Sequence, residues 1–256
     1  MVQAATVPAL RERRVLIGML VLLAAVAWAV LFWQSAMGMR ESGWLMGMSA
    51  IPFLLLWIVM MVAMMFPAAA PTILMFAQVY GKRKQQGRPY VPTAVFVVGY
   101  LLIWTIFGAV AYGLASALTL AARHVPWLMQ HAATIGGNLI ILAGLYQLSP
   151  LKRSCLTKCR SPFEFFMSSW KDGYGGAFVM GLQHGAYCFG CCWLLFLILF
   201  PLGMMNIGVM VTLTFLIAAE KSLPRGQQIA RILAGALIFY GLVVLFVPAL
   251  FPMTQF

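Results

Sequence analysis

Acidic residues are nearly missing from this chain: 256 residues carry five, namely Glu12, Glu41, Glu164, Asp172 and Glu220. None stands at the centre of an apolar run, so the paired carboxylates of acid–base hydrolysis are absent, as is a Ser, His, Asp set. Charge of either sign is scarce at 9% of residues, too little to coat a soluble domain, for which about a quarter is usual. There is no G-x-x-x-x-G-K-[ST] loop, which excludes a phosphate-cradling ATPase motif as an energy source. No repeat, low-complexity tract or long linker divides the chain, so residues 1–256 read as one domain.

What is present is hydrocarbon. Apolar residues make up 63% of the chain and the mean hydropathy is +0.95, more than a soluble core can bury. The fold class expected is all-α: a polytopic transmembrane helix bundle forming a single integral membrane domain. Seven spans are expected, at 15–33, 50–79, 93–120, 131–148, 177–200, 204–219 and 232–247. The fourth and sixth are short against the roughly 20 residues a crossing needs, so six is the alternative. The first run is long for a secretory h-region and no A-x-A site follows it before the second span, so it is read as a retained anchor.

Lysine and arginine orient these spans. Arg11, Arg13 and Arg14 precede the first; Lys82, Arg83, Lys84 and Arg88 follow the second; Lys152, Arg153, Lys158, Arg160 and Lys171 follow the fourth; Lys221, Arg225 and Arg231 follow the sixth. Only Arg40 and Arg123 fall on the other side. The positive-inside rule therefore puts the amino terminus in the cytoplasm and the carboxyl terminus outside, with the bacterial cytoplasmic (inner) membrane as the expected location. The formal charge of +12 is spread over short loops beside spans, where anionic lipid and not nucleic acid is the partner.

Sulfur and imidazole gather at two places within the apolar runs. In His184–Gly–Ala–Tyr–Cys188–Phe–Gly–Cys191–Cys192 the four functional side chains fall within one helical stripe about 100° wide. Soft ligands on one inward face suit a thiophilic ion, Cu(I) first and Zn(II) second. The second place is MMVAMMFP at 60–67, where Met60 and Met64, and Met61 and Met65, stand one turn apart. Thioethers suit Cu(I), although methionine is also a common gap-filler. Both clusters fall near the middle of their spans; if these two spans adjoin, they form one mixed site. Pro67 and Pro71 are expected to break the second helix beside it.

The five cysteines avoid the external side, which excludes a disulfide framework. Cys155 and Cys159 lie in the loop LKRSCLTKCRSP, whose cations favour the thiolate and which offers a cytoplasmic relay for an ion. Their C-x-x-x-C spacing is looser than a zinc or thioredoxin pair. Glu220 is expected at the membrane interface, solvated or paired with a basic residue.

Taken in order, MMVAMMFPAAAPT, LKRSCLTKCRSP and GLQHGAYCFGCCW, followed by GMMN and EKSLPRG, resemble a bacterial family of predicted metal-binding integral membrane proteins, over residues 44–231. The resemblance implies a metal role for Met60, Met61, Met64, Met65, His184, Cys188, Cys191 and Cys192, and no reaction. The function expected is Cu(I) handling, by transport or delivery to a cuproprotein, with a metallochaperone or cuproprotein as partner and no catalysis. A non-catalytic assembly subunit and a membrane thiol oxidoreductase are the alternatives.

Overall fold

The computed structural model describes residues 7–37, 47–87 and 89–247. Met39, Arg40, Glu41, Met46 and Arg88 fall outside the described residues. Within them the chain is helical: α1 (Val7–Ala36), α2 (Ala50–Gln85), α3 (Thr93–His124), α4 (Pro126–Gln130), α5 (Ala132–Gln147), α6 (Pro150–Arg160), α7 (Pro162–Ser169), α8 (Gly173–Leu197), α9 (Leu199–Leu202), α10 (Ile207–Ser222) and α11 (Gly226–Phe246). Five stretches are long and apolar enough to cross a membrane: Arg13–Ala36, Ala50–Gln85, Thr93–His124, Gly173–Leu202 and Gly226–Phe246. A sixth is reached only if α5 and α6, which meet at 63°, count as one bent span. The sixth expected span, 204–219, corresponds to α10, whose 16 residues extend about 24 Å, short of a hydrocarbon layer about 30 Å thick.

Two differences from the sequence reading have local causes. First, α2 runs unbroken through Pro67 and Pro71. Each proline removes an N–H, so the carbonyls of Ala63 and Pro67 lose their usual helical donor; packing of α2 on α1, α3 and α10 holds the helix together across the gap. Second, the connection 149–176 is not a plain loop but holds α6 and α7. Both begin on a Ser-Pro step, and the Ser149 hydroxyl accepts from the Lys152 N–H at 3.1 Å, the arrangement that starts a helix.

Glycine sets how closely the central helices approach. At Gly99 of α3 and Gly181 of α8, an added methyl would strike the carbonyl oxygens of Phe178 and Phe96 respectively, so backbone lies on backbone. From there α3 and α8 run parallel, Trp104 meeting Phe196 at 4.9 Å between ring centroids. In the opposite sense, α2 passes α3 with the Trp57 indole donating to the Trp104 carbonyl at 2.9 Å and Phe76 stacked on Phe96. Helices α5 and α11 pack antiparallel as an outer pair. The helix exteriors expose large apolar side chains throughout, among them Val21, Leu22, Ile51, Phe215, Ile232 and Phe239.

Candidate metal-handling site

The close approach of α3 to α8 brings Tyr100 onto the thiol stripe, its hydroxyl 3.1 Å from Cys188 Sγ. On the far side of α8, Gly190 leaves room for Cys155: a methyl there would come within 2.7 Å of its sulfur. With α6 drawn in at that point, Cys159, one turn further on, places its sulfur 4.0 Å from that of Cys191. Cys191 Sγ is in turn 3.3 Å from Cys192 Sγ and donates to the Cys188 carbonyl at 3.1 Å. All four thiols of this cluster are buried, Cys159 the least so at 7% exposure.

The cluster thus unites residues that the sequence reading kept apart. Cys188, Cys191 and Cys192 were expected on one inward face, and they share it with Cys159, expected in a separate cytoplasmic relay. Cys155 sits at the edge, half-buried. Three of the four cations expected around these two thiols are engaged elsewhere: Lys152 with Glu220 and Gln147, Lys158 with Glu164, and Arg160 with the carbonyls of Leu223 and Pro224. The cation that does reach the sulfurs comes from α10, where the Lys221 ammonium donates to Cys188 Sγ at 2.9 Å.

Two of these participants escape a reading by type and spacing. Lys221 and Tyr100 carry no soft-ligand signature, and Lys221 looks like an interfacial charge beside Glu220. Glu220 itself is paired with a basic residue, as expected, and the pair is buried among the helices: its carboxylate lies 2.7 Å from Lys152 Nζ, both side chains 1% exposed, and Gln147 donates to it at 3.3 Å. A further signal is legible in the spacing: Cys188–Phe189–Gly190–Cys191 is a C-x-x-C pair.

His184 stands one turn before Cys188, its ring 5.3 Å from Phe165 and 5.7 Å from Tyr100 between centroids. Its Nδ1 is buried without a hydrogen-bond partner, a costly state for a polar atom that a bound ion would relieve. The methionines at 60, 61, 64 and 65 are all buried. Trp57 meets Trp104 and Phe76 meets Phe96, so these methionines lie at the level of Tyr100 and hence of Cys188. The backbone of α2 packs chiefly on α1, α3 and α10, and α2 meets α8 through Trp57, 6.4 Å from Phe196 between ring centroids, so the two sulfur sets share a core and a depth. Among the described residues, no three His, Cys, Asp or Glu side chains surround a common point in the manner of a preformed metal site.

No curated protein and no solved structure matches the chain. The PpoB2 copper chaperone family matches residues 54–244, a stretch that contains the methionine quartet, all five cysteines, His184 and Lys221. Covering well over half of the sequence, this match shows that the chain belongs to the PpoB2 copper chaperone family.

Proposed function

We propose that this protein is an integral membrane copper(I) carrier of the bacterial cytoplasmic membrane, which holds the ion at the Cys159, Cys188, Cys191 and Cys192 cluster and passes it to a metallochaperone or cuproprotein. The observation that carries this reading is the meeting of thiols from α6 and α8, with the sulfurs of Cys159 and Cys191 4.0 Å apart and that of Cys192 3.3 Å from Cys191, in a chain of a copper chaperone family. Soft thiolates select Cu(I), and two of them satisfy it. Zinc asks for a closed set of four converging ligands, and among the described residues no three such side chains surround a common point. His184, with its orphaned nitrogen, is the third candidate ligand, and the methionines at 60, 61, 64 and 65 form a neutral reservoir at the same depth. Cys155, half-exposed beside the cluster, is the step between it and the cytoplasm.

Embedding in a bilayer accounts for the exposed leucines, isoleucines and phenylalanines of the helix exteriors. The one-sided distribution of lysine and arginine supports an amino terminus on the cytoplasmic side. Copper is cargo here, and the protein performs no catalysis.

The test is elemental analysis of anaerobically prepared, detergent-purified protein beside a Cys188→Ser, Cys191→Ser variant. Stoichiometric copper in the wild type, lost in the variant, supports the reading. No metal in either returns the thiols to packing and favours an assembly subunit. A Cys159–Cys191 disulfide that cycles with a thiol substrate, without metal, favours an oxidoreductase.

A further inference from the structure

A buried lysine among thiols is the least expected part of this site. Lys221 is 8% exposed and sits in the last turn of α10. Its sequence neighbour Glu220 faces Lys152 and Gln147. Among the described residues the ion pairs are Arg83–Asp172, Lys152–Glu220 and Lys158–Glu164; Lys221 belongs to none of them, and its hydrogen bond goes to sulfur. An ammonium held in an apolar core needs negative charge beside it. The groups at hand are the thiols, and what they bind decides the balance.

Copper(I) held by two thiolates has a net charge of minus one. One ammonium at hydrogen-bond distance from a ligand sulfur cancels it. A divalent ion on the same two thiolates is already neutral, and Lys221 then leaves an uncompensated positive charge in the core. Resting on the copper reading above, we propose that Lys221 is the specificity-determining residue of the cluster: its fixed charge makes a two-thiolate complex of a soft monovalent ion neutral and disfavours a divalent one. Tyr100, on the same sulfur at 3.1 Å, fixes the orientation of Cys188 while Lys221 sets the charge.

The experiment is an anaerobic competition titration of the detergent-purified full chain with Cu(I) and with Zn(II) against chromogenic chelators, for wild type, Lys221→Gln and Lys221→Arg. Lys221→Gln, which keeps a donor and loses the charge, is expected to weaken Cu(I) binding by about 10- to 100-fold, the usual effect of losing a group that supports a ligand, while Zn(II) binding holds or tightens. Lys221→Arg is expected to keep the wild-type preference, a rescue that a merely structural role does not predict. Wild type that binds no copper overturns the copper reading and this one with it. Copper bound with an unchanged Cu(I)-to-Zn(II) preference in a folded Lys221→Gln overturns the Lys221 assignment alone. If Lys221→Gln does not fold, the wild type decides by competition between Ag(I) and Cd(II), both thiophilic: preference for Ag(I) supports the proposal, and preference for Cd(II) overturns it.

Discussion

At the scale of single residues, Cys155 and Cys159 separate most clearly. Cys159→Ser removes a sulfur from the cluster and is expected to weaken copper binding about tenfold or more. Cys155→Ser, at the edge, should leave equilibrium binding unchanged and slow release to a chelator. Equal effects of the two in chelator-competition and stopped-flow experiments would contradict the division of roles. His184→Phe offers a second comparison. If the imidazole merely packs, replacing it removes an unpaired buried nitrogen, a relief of about 1–3 kcal/mol. As a ligand, its loss lowers copper affinity. The expectation is both together: apo protein whose thermal unfolding is unchanged or later, and a weaker copper complex. The residue-level reading from sequence recovered the α8 stripe because 100° per residue is enough to place four side chains on one face. It could not place Cys159 or Lys221, because membership there depends on how α6 and α10 dock, which no spacing within either segment encodes.

Among helices, α6 is the one whose position matters most and whose sequence said least. Eleven residues rich in lysine and arginine look like a loop; the two Ser-Pro steps mark helix starts, but nothing local says that Lys152 turns inward. Its pair with Glu220 ties α6 to α10, and breaking such a buried pair from one side costs about 3–5 kcal/mol, while an apolar replacement of both is often neutral. Lys152→Met and Glu220→Leu should therefore each lower the unfolding temperature markedly, and the double variant should recover most of the loss. Additive losses would show that the two do not act as a pair. The α3–α8 contact offers a parallel test. Gly181→Val forces backbone apart where a methyl already meets the Phe96 carbonyl, and should cost about 1–3 kcal/mol as overpacking does while pulling Tyr100 off Cys188. A variant with unchanged stability and unchanged copper affinity would rule that contact out as a determinant.

For the whole molecule, helix class and the approximate places of the helices were legible from hydropathy alone, because runs of about 20 apolar residues have few other uses. The number of crossings was not, since α5 and α10 are each 16 residues long and length decides nothing there. Parallel α3 and α8, and antiparallel α2 against α3, agree with the alternation that the basic loops imply. The expected outcome is an amino terminus in the cytoplasm and a carboxyl terminus outside, read by terminal fusions to a reporter that is active on one side only. Both termini in the cytoplasm would mean that one of the short helices turns back without crossing. The way the site is divided among helices also bears on how it is born. A ribosome delivers α6 and α8, with every cysteine, before it delivers α10. At about 5–20 residues per second, the thiols spend seconds together before their ammonium is synthesised, and during that interval a newborn chain meets oxidants and foreign metals without the charge that will later discriminate among them.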